Sequence, residues 1–148
     1  DVYPPVHVLT SFQPLSDGDL SAIGDALQAR QQCVAPNETL NWVYQCRHTG
    51  QAETRLMAGA VPEPHVVTEH GARYRVHVLK GQNHGFFPDM AAGRRWVREH
   101  VAAHPGMKVL NLFAYTGAFS VVALQAADTK PVETAFQRYW AAYAKKIS

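Results

Sequence analysis

The chain has 148 residues, 47% of them hydrophobic and 18% charged, with a formal net charge of +2. That is the balance of a globular protein with length for one core, or for one and a half small ones, and its slight basicity permits contact with RNA without arguing for it. No apolar run approaches the roughly 18 residues of a membrane span and no signal peptide is legible, while two cysteines, Cys33 and Cys46, are too few and too far apart for a zinc motif.

The cysteines read as reduced thiols of a cytoplasmic protein, in or near a core, with a disulfide as the alternative. No metal site is expected. Residues 1–13 are proline-rich, and the apolar piece at 6–9 fits an edge strand or a docked tail. Ser16, Asp17 and Asp19 are N-cap types, and the apolar positions from Leu20 to Leu27 recur at helical spacing, which predicts a helix over 17–31 weakened by Gly24. Residues 35–38 break the chain. A strand is predicted over 41–46 and a turn over 47–51. Residues 53–61 fit a strand or a short helical turn, ended by Pro62 and Pro64.

From residue 65 the pattern sharpens. Residues 65–69 and 73–79 alternate and are rich in β-branched types, with His70-Gly71 as a hairpin turn between them. The second strand sets Tyr74, Val76 and Val78 on one face and Arg73, Arg75 and His77 on the other, a solvated face or a phosphate-contacting one. A glycine-bounded loop over 81–89 carries two aromatics. A helix is predicted over 90–103, with Trp96, Val97 and Val101 on its apolar side and His104-Pro-Gly106 as its stop. Residues 108–113 form an apolar run of the length that suits a strand buried on both faces. A turn at Gly117 and a helix to residue 126 follow, with Phe119, Val122 and Ala123 on one side. Residues 129–131 break the chain. A last helix over 132–147 carries Phe136, Trp140, Tyr143 and Ile147 as a stripe, for core packing or for a second chain.

A strand that ends in a glycine turn before a helix leaves backbone N–H groups at the strand's carboxyl end. In α/β proteins small ligands bind in that crevice; the plainer reading is a strand–loop–helix without a ligand. The residues add to the shape. Asn111-Leu-Phe-Ala-Tyr-Thr-Gly-Ala-Phe-Ser120 resembles the first S-adenosylmethionine-binding motif of the bacterial methyltransferases that act on large-subunit ribosomal RNA. Gly81-Gln-Asn-His-Gly-Phe-Phe-Pro-Asp-Met90 and Gly93-Arg-Arg-Trp-Val97 resemble the segment that precedes that motif in the same family. The likeness runs from about Val66 to Leu124.

The resemblance implies an α/β fold, a Rossmann-like class I methyltransferase core within 63–148 behind an N-terminal α+β portion over 1–62. It implies S-adenosylmethionine as cofactor, ribosomal RNA as partner and transfer of a methyl group to a base. On this pattern Asn111 belongs to the motif, and Phe113, Ala114, Tyr115, Thr116 and Gly117 form the turn against the methionyl end. Asp89 is a partner for a cationic or hydroxyl group of the cofactor, or the N-cap of the helix beginning at Met90. Phe87 and Arg94 line the same site, though Arg94 and Arg95 fit surface charges equally. Trp42, Tyr44 and Phe86 are surfaces for an unstacked base, or core residues.

The likeness ends at Leu124. The family continues with a second strand ending in an acidic residue and, further on, an Asp-Pro-Pro loop. Neither is legible here, so the core reads as incomplete and no catalytic residue is assigned. Cys33 and Cys46 match no cysteine nucleophile position. Two functions follow: a methyltransferase seen in part, or a truncated, non-catalytic relative that binds a partner or forms a homo-oligomer through its last helix. A nucleotide-binding domain of other chemistry lacks its G-x-G-x-x-G.

Overall fold

The computed structural model describes residues 1–48, 51–81, 83–112 and 114–127. The predicted last helix, the break before it and Phe113 lie outside the described residues. The chain forms two units, Asp1–Pro88 and Asp89–Ser148, each with its own internal packing.

The first unit is built on a four-stranded mixed sheet of order β1-β2-β3-β4, from β1 (Val2–Tyr3), β2 (Val6–Ser11), β3 (Asn41–His48) and β4 (Gln51–Ala58). Strands β2 and β3 are parallel and joined through helix α1 (Asp17–Val34), while β1 and β4 are antiparallel additions on either side. The apolar piece at 6–9 is thus neither a tail nor an edge: β1 covers it. The ambiguous stretch at 53–61 resolves as a strand as far as Ala58, where Arg55, Thr54 and Glu53 pair with Tyr44, Gln45 and Cys46.

Side chains alternate across β3. Trp42, Tyr44 and Cys46 face α1 and form a core with Leu20 and Leu40, against which Ile23 and Leu27 pack. These aromatics are therefore core residues, as is Phe86. Gly24 sits within the helix for a steric reason: a Cβ there would lie 3.3 Å from the Trp42 indole. Helix α1 starts on a capping box, with the Asp19 N–H donating to Ser16 Oγ at 3.1 Å and the Ser16 N–H donating to the Asp19 carboxylate at 3.3 Å. Cys33 is exposed and Cys46 buried, and both are free thiols.

The hairpin is β5 (Val66–Glu69) with β6 (Ala72–Arg75). His70 (φ 49°) and Gly71 (φ 81°) are both left-handed, as a two-residue type I′ turn requires. Strand β6 stops at Arg75, short of the predicted 79: the Val76 N–H still bonds in the hairpin's register, to the His65 C=O, but the His77 N–H turns to the His84 C=O, each at 2.9 Å. The predicted alternation nevertheless holds through Val78, with Tyr74, Val76 and Val78 buried and Arg73, Arg75 and His77 exposed. Arg75 is paired with Glu63 at 2.7 Å.

In the second unit a short 3-10 turn (Pro88–Met90) leads into α2 (Ala91–Ala103), which packs on α3 (Ala118–Ala126). Gly93 makes room for this contact, since a Cβ there would stand 3.4 Å from the Phe119 ring. Arg94 and Val101 are the buried residues of α2, with Val97 half-buried between them. Trp96, expected on that face, is 62% exposed. It lies outside the i, i+3, i+7 row of 94, 97 and 101 and instead stacks on His100, ring centroids 4.8 Å apart, which in turn meets His104 at 4.3 Å.

The largest departure from expectation is at 108–113. The predicted buried strand is not one over its described residues, 108–112: Leu110 is 81% exposed and Leu112 75%. A strand exists only through the ladder it shares with a neighbour, and among the described residues none pairs with this stretch.

Candidate functional site

Around the glycine turn the backbone is the most informative feature. The Gly117 N–H donates to the Ala114 C=O at 2.6 Å, closing a tight turn. Tyr115 within it has φ 46° and Gly117 has φ 84°, so two left-handed residues stand within three positions. For glycine this conformation is free. For tyrosine it costs energy, on the order of 1 kcal/mol, of a kind that clusters at functional sites. Gly117 is the N-cap of α3, and no side chain caps that helix. A Cβ on Gly117 would meet nothing within 4 Å, so the space over the helix start is open among the described residues.

Asn111 is anchored beside this turn: its Nδ2 donates to Ser120 Oγ in the first turn of α3 at 3.1 Å. Ala114, Tyr115 and Thr116 are exposed. The structure therefore gathers Asn111, Ala114, Tyr115, Thr116 and Gly117 around one helix start. Arg94 is buried within α2, and Asp89 is exposed in the turn before it. The capping role weighed for Asp89 is not used, since the N-cap of α2 is Met90 and no side chain bonds there. Phe87, 42% exposed, belongs to the first unit. A recess of about 320 Å³ in the second unit is bordered by Val97, Val109, Leu110, Asn111, Leu112 and Phe119.

The first unit has a separate cleft of about 380 Å³ at the end of β3 and the start of β4, lined by Tyr44, Cys46, His48, Glu53 and Arg55 among others. The Arg55 guanidinium lies over the Tyr44 ring at 5.5 Å and 3.7 Å from the Asp17 carboxylate. None of the residues predicted for the cofactor lines it.

Sequence reasoning missed a buried polar cluster in the first unit. Gln45, fully buried, donates from Nε2 to the Gly81 C=O at 2.8 Å and to His84 Nε2 at 3.2 Å, while its Oε1 accepts from Arg47 Nε at 2.6 Å. His84 Nδ1 lies 3.4 Å from the Tyr3 hydroxyl, which donates to the Phe86 C=O at 2.9 Å. Because an amide nitrogen can only donate, His84 Nε2 accepts and the proton sits on Nδ1. Burial, then the Arg47 charge and the chain's amino terminus, lower the His84 pKa from 6.5 to about 4. The one signal in the sequence was a glutamine amid the apolar alternation of β3.

Among the described residues no group of three His, Cys, Asp or Glu side chains is placed to hold a metal, and no helix is long and apolar enough to cross a membrane.

Comparison with known proteins adds to this geometry. The profile of a family described as S-adenosylmethionine-dependent methyltransferase matches residues 3–141. Ribosomal RNA large subunit methyltransferase I of Serratia proteamaculans is 35% identical over 81 residues, which is 55% of this chain and 20% of that protein. The protein of the same name from Aeromonas salmonicida is 36% identical over 73 residues, 49% of this chain and 18% of its own. A putative ribosomal RNA large subunit methyltransferase of Bacillus subtilis, YwbD, is 42% identical over 60 residues, 40% of this chain and 15% of its own. The match thus spans a fifth or less of these relatives. No solved structure matches significantly. The chain belongs to the S-adenosylmethionine-dependent methyltransferase family.

Proposed function

We propose that this member of the family carries the cofactor-binding front of a ribosomal-RNA methyltransferase, with the glycine turn as the seat of the methionyl end. The observation that supports it most is the open, left-handed helix start at Gly117 without a side-chain cap. The N–H groups of such a turn suit the carboxylate of S-adenosylmethionine. Asn111, Ala114, Tyr115 and Thr116 frame it, and the resemblance assigns Phe113, Phe87, Asp89 and Arg94 to the cofactor as well. The turn fits the cofactor in chemistry: it offers donors, and among the described residues no side chain lies within 4 Å of where a Gly117 Cβ would stand.

When bound, the cofactor supplies an electrophilic methyl on sulfur, and a base of RNA is the acceptor this reading assigns. The transfer is an in-line displacement, to which a protein contributes mainly position. The residues that position the base are not assigned, since the Asp-Pro-Pro loop does not occur in this sequence. The class I Rossmann-like core, seen here in part, belongs to the same proposal. So do a cytoplasmic location and the exposed Arg73 and His77 as contacts to RNA phosphates.

Photolabelling with tritiated S-adenosylmethionine, followed by peptide mapping, tests the proposal. Label is expected on the peptide that holds 111–117. A folded chain that takes no label, or takes it on the cleft of the first unit, contradicts it. A second reading, a non-catalytic module that joins a partner or a second copy, is supported by the exposed Leu110 and Leu112. Sedimentation equilibrium reads self-association directly.

A further inference from the structure

We propose that His84 is a positioning residue for the segment that carries Phe87, and that protonating its ring releases that segment from the sheet. The inference rests on the reading of Phe87 as a cofactor contact only for its functional consequence; the fastening itself stands on the hydrogen bonds.

Residues 83–87 have no place in a strand or helix. Among the segment's fastenings are the backbone bond from the His77 N–H to the His84 C=O at 2.9 Å, the Phe86 ring against Tyr74 with centroids 4.6 Å apart, and the polar cluster. The His84 ring is the hub of that cluster. It accepts from Gln45 on β3 on one side and, on the other, meets the hydroxyl of Tyr3 on β1, whose own proton goes to the Phe86 C=O. The ring also stands edge-on to Tyr3, centroids 5.2 Å apart. Two strands of the sheet are thus tied through one imidazole to the residues directly before Phe87.

This arrangement accepts only the neutral ring. A second ring proton would point Nε2–H at the Gln45 amide nitrogen, a donor facing a donor. Turning that amide over would aim its NH2 at Arg47 and give up the Gly81 bond. The charges that bear on the ring are both positive: the Arg47 guanidinium from β3 and the amino terminus, held at the Val8 C=O, beside β1. The titratable Tyr3 hydroxyl faces it from β1 as well, and among the described residues no carboxylate hydrogen-bonds to it. Protonation therefore costs the cluster its hydrogen bonds with nothing to replace them.

The test uses the whole chain, with imidazole nitrogen shifts and amide exchange followed by NMR from pH 7 to pH 3.5. The expected result is a neutral His84 with its proton on Nδ1 at pH 7. Amide exchange at Phe86 and Phe87, corrected for its intrinsic pH dependence, then rises at least about tenfold with the midpoint of the His84 ring itself. In Gln45→Glu a carboxylate replaces the amide, and both midpoints move up together by about one unit or more. A role confined to packing would not shift the two in step. A proton on Nε2 at pH 7, or exchange at 86 and 87 that stays flat through the His84 titration, overturns the proposal. Cofactor affinity over the same range separates the two readings: binding that weakens with the His84 midpoint supports the functional consequence. Binding absent at every pH sinks the reading of Phe87 and leaves the fastening to be judged by exchange.

Discussion

The first unit encloses its apolar strands, whereas among the described residues the second leaves an apolar stretch in the open. In the first unit Val43 and Trp42 are almost wholly buried, 0% and 3% exposed, in a sheet that carries α1 on one face and whose β3 bonds through Gln45 to Gly81 and His84 of the loop after the hairpin. In the second unit Val109, Leu110 and Leu112 are also large and apolar, yet lie in the open. Composition alone does not distinguish these stretches. What separates them is a neighbouring strand: β3 has one on each side, and 108–112 has none among the described residues. Apolar sequence is a demand for partners, and structure appears where the demand is met.

Substitutions sharpen this contrast, the strongest in the enclosed unit. Trp42→Ala removes the indole packed on Gly24 and is expected to cost about 3–5 kcal/mol of stability by urea unfolding. Acid is expected to act on the same unit through His84. Its folded pKa, about 4, lies below the 6.5 of the free side chain, so the unfolded state takes up the proton first as pH falls. Stability present above about pH 6.5 is lost as pH drops to about 4, by at most about 3 kcal/mol. His84→Gln should flatten that limb of the pH–stability curve.

At the glycine turn the backbone sets the cost. Gly117→Ala is expected to lose on the order of 1 kcal/mol through its left-handed φ, and Gly117→Asn less, because asparagine tolerates that region and the site has room. Calorimetry of the two variants checks the order. Ser16→Ala, which dismantles the capping box of α1, should cost about 1 kcal/mol. Leu110→Ala should change stability by less than about 0.5 kcal/mol, since its side chain is already in water. A cost near that of Trp42→Ala would mean that Leu110 is buried in solution, and the contrast between the units would fall.

Much of the first unit was legible because its signals are local. The capping residues before Leu20, the alternation from Tyr74 to Val78 and the His70-Gly71 turn each name their own structure. The helix after Gly117 was legible for the same reason. The status of 6–9 was not, since whether a strand is an edge depends on the two residues of β1 that cover it. Trp96 misled because an indole is read as core, and here the row through Arg94 takes the inward side of α2. At the site, the motif named the turn residues. It carried no sign of the left-handed Tyr115, and none of the His84 cluster, whose members are brought together from β1, β3 and the loop after the hairpin.

We propose that the turn at Gly117 holds the cofactor. Calorimetric titration of the chain with S-adenosylmethionine, alongside Gly117→Asn and Gly117→Val, tests it most directly. Micromolar binding by the native chain is expected. Gly117→Asn should lose little stability yet lose binding, because its side chain enters the open space over the helix start, and Gly117→Val should lose binding too. Binding that survives in both variants, or no binding by a folded native chain, would contradict it.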